Sequence, residues 1–114
     1  MQEQMIALIE RHCQTIKQEA VEIDRSLGRL GSSSKEENID QARYLVHKIK
    51  GSSGTLGFLA LSQSAQALED ALRVEISALD TAQIRNLNGV MQGQISGMAP
   101  QKSILFDRFS RVST

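Results

Sequence analysis

Apolar residues at Met5, Ile9, Cys13, Ile16, Ala20, Ile23, Leu27 and Leu30 recur every three or four positions and draw one stripe along a helix. The spacing predicts a single long helix over about residues 2–29, ended by Gly31, with the Gly-Ser-Ser-Ser run as a loop. Ser34 precedes Glu37 by three residues, a capping-box spacing that opens a second helix. That helix runs from about Lys35 to Thr55 and carries Ile39, Ala42, Val46, Ile49, Ser53 and Leu56 on one face, and Gly57 stops it. A third helix follows with Leu61, Ala65, Leu68 and Leu72 as its stripe. Asp80 with Gln83 repeats the capping-box spacing ahead of a fourth, which uses Ile84, Leu87, Met91, Ile95 and Met98. It should end near Ala99, because the residue before Pro100 is pushed away from helical dihedrals.

Four helices with short connections favour antiparallel neighbours. The predicted fold is therefore all-α, an antiparallel up-down-up-down four-helix bundle over residues 1–99. Residues 100–114, with Ile104, Leu105, Phe106 and Phe109, form a tail whose pattern fits a short extra helix on the bundle and a docking or dimerising segment equally well.

Composition supports the helical reading, since the 114 residues include one Pro, no Trp and only four aromatics. The lone Cys13 excludes an internal disulfide and points to a reducing cytoplasm. No apolar run approaches the roughly 20 residues that span a bilayer. The N-terminus, charged and amphipathic, does not read as a secretory signal. Thirteen basic residues balance thirteen acidic ones, which argues against a general nucleic-acid binder.

The stretch from Arg43 to Gly57 carries the candidate chemistry. On the helical wheel His47 lies about 140° from the centre of the core face of helix two, and so faces water. Arg43, Lys50, Gly51 and Gly54 fall within about 60° of it, because offsets of three, four and seven residues stack on one face. Each glycine in a helix interior costs about 1 kcal/mol relative to Ala, so two of them one turn apart suggest close approach to this surface. A neighbouring helix could explain Gly54; Gly51 points too far from the core for that. From Gln41 through Ala60 there are three cations and no acid, whereas Phe58 through Asp80 holds four acids and only Arg73. A local positive patch around His47 is expected, suited to attracting a phosphoryl group that Lys50 would meet one turn on.

With these residues in view, His47-Lys-Ile-Lys50-Gly51-Ser52, continued by Gly54 and Gly57, resembles the phosphorylation motif of histidine-containing phosphotransfer (HPt) domains. The resemblance extends through Leu61, Ala65 and Leu68-Glu69 in helix three. It implies that His47 accepts a phosphoryl group from an aspartyl phosphate on a response-regulator receiver domain and passes it to another receiver. It also implies that Lys50 steadies the phosphoryl oxygens, and that Gly51 and Gly54 leave room for the partner. Arg43 and Lys48 complete the expected partner-binding set. Ser52 turns partly away, as a packing or hydrogen-bonding residue. The Mg²⁺ required belongs to the receiver, so no cofactor or metal is expected in this chain. Receiver domains are the implied partners, with a hybrid histidine kinase as a further candidate; nucleic acid and membrane are not.

Competing activities lack their parts. No GxxxxGK[ST] loop exists, and Gly51-x-x-Gly54-x-x-Gly57 follows a helix where a phosphate-cradling loop would follow a strand. The expectation is a phosphocarrier without autonomous kinase or ATPase activity. His12 and His47 sit on different helices with no HExxH, and Gly51-Ser-Ser-Gly54 is one residue short of a nucleophile elbow. His12 is read as a boundary residue and Cys13 as a small core residue. The alternative from another class is a non-catalytic helical adaptor that binds a receiver or a kinase without carrying phosphate.

Overall fold

A computed structural model describes residues 2–31 and 34–104. Among the described residues the secondary structure is helical throughout, and the order of elements follows the sequence pattern. Helix α1 spans Gln2–Leu27 and buries Ile9, Cys13, Ile16, Ala20, Ile23 and Leu27, with Met5 and Leu30 half-buried at its two ends. It stops two residues before the predicted end. The amide of Arg29 bonds to the carbonyl of Ser26 at 3.2 Å, a tighter three-residue closure that winds the chain out of the helix.

Helix α2 covers Lys35–Thr55, as the periodicity predicts, with Glu36 and Glu37 in the first turn where the helix dipole favours carboxylates. The capping box does not form at this end. The Ser34 side chain makes no capping bond to the helix; its carbonyl accepts the Asn38 amide at 3.0 Å, and the Asn38 side chain donates to the Arg29 carbonyl at 3.3 Å. Asn38 thus ties the end of α1 to the start of α2.

Only three residues separate α2 from α3, Leu59–Leu72. Gly57 makes this reversal possible with φ of 84°, a left-handed conformation that a Cβ would strain. Phe58, buried, then plugs the turn, its amide bonded to the Ser53 carbonyl at 2.8 Å. A 3-10 turn at Ile76–Ala78, which the apolar pattern did not signal, leads into α4, Thr81–Ser96. Here the predicted cap is present, since Asp80 Oδ1 accepts the Gln83 amide at 3.1 Å. Helix α4 ends at Ser96, three residues before the predicted Ala99. Gly97 caps it, and Ala99 is already extended ahead of Pro100.

Each helix packs on the next, and α4 closes on α1, which makes the four-helix bundle with its core along a 55 Å axis. Buried Asn88 donates to Asp24 at 2.9 Å and Gln92 donates to the Ala20 carbonyl at 2.9 Å, so polar ties as well as apolar contact hold α4 to α1. A second 3-10 turn, Pro100–Lys102, brings Ile104 back to the α2–α3 turn, where its amide meets the Gly57 carbonyl at 3.2 Å. The rest of the tail, including Leu105, Phe106 and Phe109, lies outside the described residues.

Candidate functional site

His47 stands on the outer face of α2 with 58% of its side chain exposed, and its Nδ1 lies 2.6 Å from Oε2 of Glu69 on α3. Glu69 itself is 1% exposed. The other carboxylate oxygen, Oε1, accepts from Lys50 Nζ at 3.0 Å, and Arg73 Nη2 reaches Oε2 at 3.3 Å. A carboxylate removed from water normally resists ionisation, and burial alone would raise its pKa. The hydrogen bonds from Lys50 and His47, with the positive charges of Lys50 and Arg73, outweigh that and hold the Glu69 carboxyl below its ordinary value.

An ionised carboxylate can only accept, so Nδ1 must be the donor in the 2.6 Å contact. In the neutral ring the lone pair then resides on Nε2. The fold has selected the tautomer and fixed the ring, which leaves Nε2 as the nucleophilic atom of a half-exposed side chain.

The three cations of the predicted positive patch are present, but each has found an acid. Arg43 pairs with Asp40 at 2.7 Å, Lys48 with Glu19 of α1 at 2.9 Å, and Lys50 with Glu69 at 3.0 Å. The uncompensated patch read from residues 41–60 is corrected accordingly: two of the neutralising carboxylates come from α1 and α3, elements distant in sequence. Lys48 also lies 5.6 Å from the ring centre of Tyr44, an exposed aromatic one turn before His47. A shallow groove beside His47 is lined by Asp40, Arg43, Tyr44, Glu69 and Arg73.

The two glycines separate. A Cβ on Gly51 would meet nothing within 4 Å, whereas one on Gly54 would come to 3.2 Å from Ser62 Oγ on α3. Gly54 therefore answers to helix packing, and Gly51 lies open beside the histidine. Hydroxyls stitch this segment: Ser52 Oγ donates to the Lys48 carbonyl at 2.8 Å, Thr55 Oγ1 to the Gly51 carbonyl at 3.0 Å, and Ser62 Oγ to the Lys50 carbonyl at 2.9 Å. The first two are bonds back to the carbonyl four residues earlier in the same helix, and the third ties α3 to α2 beside His47.

Glu69 is the partner of His47 that spacing on α2 could not reveal. Its signal was in α3: four residues after Ala65 and three before Leu72, it falls on the buried stripe, where a carboxylate requires charged partners. His12, read as a boundary residue, is buried instead and stacks on Phe58 at 5.7 Å, with burial depressing its pKa against the opposing charge of Glu19. Cys13 is a core residue, and burial raises its thiol pKa. Among the described residues no helix is long and apolar enough to cross a membrane.

The four-helix bundle thus presents one imidazole, held by a buried carboxylate, on its outer face. The family model of the Hpt domain matches residues 2–97, and the chain belongs to that family. Its role is histidine phosphotransfer in two-component phosphorelays. Neither the curated proteins nor the solved structures searched gave a match.

Proposed function

We propose that His47 takes a phosphoryl group from the aspartyl phosphate of a receiver domain and delivers it to a second receiver. The observation that carries this reading is the 2.6 Å contact between His47 Nδ1 and the buried Glu69 carboxylate, which leaves Nε2 as the attacking atom. The Nε2 lone pair forms the N–P bond as the P–O bond to the aspartyl carboxylate breaks, and the carboxylate leaves with that electron pair. Nδ1 keeps its proton throughout. The ring thereby gains positive charge, which the Glu69 carboxylate is placed to stabilise. Delivery to the second receiver is the same step in reverse.

Lys50, one turn along the helix from His47, is assigned to the phosphoryl oxygens. Its 3.0 Å bond to Glu69 holds it beside the ring beforehand. Gly51 gives the partner's acidic site room to approach, while Gly54 supports the surface by letting α3 pack closely. Arg43, Lys48 and exposed Tyr44 border the same face and would contact the partner. The Mg²⁺ that such a transfer uses is assigned to the receiver. A hybrid histidine kinase would charge the first receiver, and a cytoplasmic setting suits both those partners and the buried thiol of Cys13.

Incubation with a phosphorylated receiver tests the reading. The expected product is acid-labile, base-stable phosphate on the parent protein and none on His47→Gln, with no labelling of either from ATP alone. A parent protein that binds the receiver yet never acquires phosphate would instead favour the adaptor reading.

A further inference from the structure

Among the ion pairs of the described residues on the His47 face, Glu69 alone serves two cations. Arg43 and Lys48 are matched one to one with Asp40 and Glu19, but the single Glu69 carboxylate holds both Lys50 and Arg73. In these pairs Glu69 has one cation in excess beside the imidazole.

Geometry assigns that surplus to Arg73. Its Nη2 contacts Oε2 of Glu69, the same oxygen that takes Nδ1 of His47, so the two nitrogens lie within about 6 Å of each other. Lys50 occupies the opposite oxygen. The 3.3 Å bond from Arg73 is long, and 57% of the side chain is exposed, against 27% for Lys50. A guanidinium has five N–H donors in a fork that fits two oxygens of one phosphoryl group, and a single long bond commits only one of them. Arg73 also lines the groove beside His47.

We propose that Arg73 is a second phosphoryl-binding residue of this site. On phosphorylated His47 its guanidinium turns from Glu69 to the phosphoryl oxygens, while Lys50 approaches them from its own side of the ring. The inference rests on His47 being the acceptor. It goes beyond that reading because Arg73 lies outside the motif on α2 and beyond the stretch of α3 that carries the resemblance. Its effect falls on the phosphorylated state: Arg73 shifts the exchange between aspartyl phosphate and phosphohistidine toward the histidine.

The test measures the equilibrium of phosphate between one phosphorylated receiver and the parent, Arg73→Ala, Arg73→Gln and Arg73→Lys proteins, together with the ³¹P resonance of phosphohistidine. Arg73→Ala and Arg73→Gln should lower the phosphohistidine share of the equilibrium by about tenfold and move its ³¹P signal, with Arg73→Lys intermediate because it keeps the charge but loses the fork. The ¹⁵N pattern of the unphosphorylated His47 ring, which reports the proton on Nδ1, should not change. If that pattern changes in Arg73→Ala, Arg73 acts only through Glu69, and the proposal is overturned. It is likewise overturned if all variants share the parent's equilibrium and ³¹P shift while His47 is labelled normally. A parent that takes no phosphate on His47 sinks the proposed function and this inference together.

Discussion

The Nδ1 atom of His47 and the Oε2 atom of Glu69, 22 residues apart in the chain, stand 2.6 Å from each other across the α2–α3 interface. The contact joins an exposed reactive ring to a residue of the core. Glu69 is buried with Leu68 and Leu72 on the inner face of α3, which sets where the carboxylate sits, and the carboxylate in turn holds the ring. The pair of helices with the most extensive mutual contact is therefore also the pair that brings Glu69 to His47.

Removing the carboxylate should separate orientation from mere presence of the histidine. Glu69→Ala leaves His47 Nδ1 and Lys50 without their acceptor. The expected cost is about 1–3 kcal/mol of stability and at least a tenfold loss in transfer rate. Imidazole ¹⁵N spectra of the variant should show a mixture of tautomers where the parent shows the Nδ1–H form. A variant that keeps the parent's spectrum and rate would refute the orienting role.

The two lysines flanking Ile49 should behave differently. Lys50 is tied to the carboxylate that holds His47, while Lys48 is tied to Glu19 on the α1 side. Lys50→Ala is expected to slow transfer about tenfold or more, and Lys48→Ala by a few-fold at most, both with near-parental helicity. Rates measured against one receiver decide the matter, and equal losses would count against Lys50 as the phosphoryl contact.

Three glycines within seven residues should give three different responses to alanine. Gly51→Ala, in open space, should stabilise the bundle by about 0.5–1 kcal/mol. Gly54→Ala pushes on Ser62 Oγ and threatens its bond to the Lys50 carbonyl, so that gain should vanish or reverse by up to about 1 kcal/mol. Gly57→Ala must adopt a φ of 84°, at a cost of about 1 kcal/mol or more. Thermal melts of the three proteins provide the ranking. Gly51→Gln should fold well yet transfer more slowly, since its long side chain obstructs the partner; a stable variant with the parent's rate would remove the close-approach argument.

Acid should weaken the bundle through Glu69. The folded state holds this carboxyl below its ordinary value of 4.5, so the ionised form contributes stability that is fully present above that pH and is lost as pH falls through the lower folded-state value. Glu69→Gln removes the titration. Denaturant midpoints taken from pH 7 down to below 4.5 should decline less steeply for Glu69→Gln than for the parent; parallel declines would show that other carboxylates account for the acid sensitivity.

The sequence by itself determined the four helices, the buried stripe of each, and the solvent-facing position of His47 with Gly51 beside it. It could do so because helical period and glycine cost act within a few residues of the chain. It also marked the cap at Asp80, where donor and acceptor are three residues apart. The cap expected at Ser34 does not form, because its ψ of 31° departs from the extended backbone of a capping residue; Asn38 instead reaches the Arg29 carbonyl, a partner set by how the chain returns from α1 to α2. The same limit governs the site. A run of three cations without an acid looks unbalanced along the chain, yet Glu19 and Glu69 arrive from other helices to neutralise two of them. Electrostatics and hydrogen bonds act through space over a few ångströms, so only the packing of α3 on α2 could decide which nitrogen of His47 holds its proton and which is free to react.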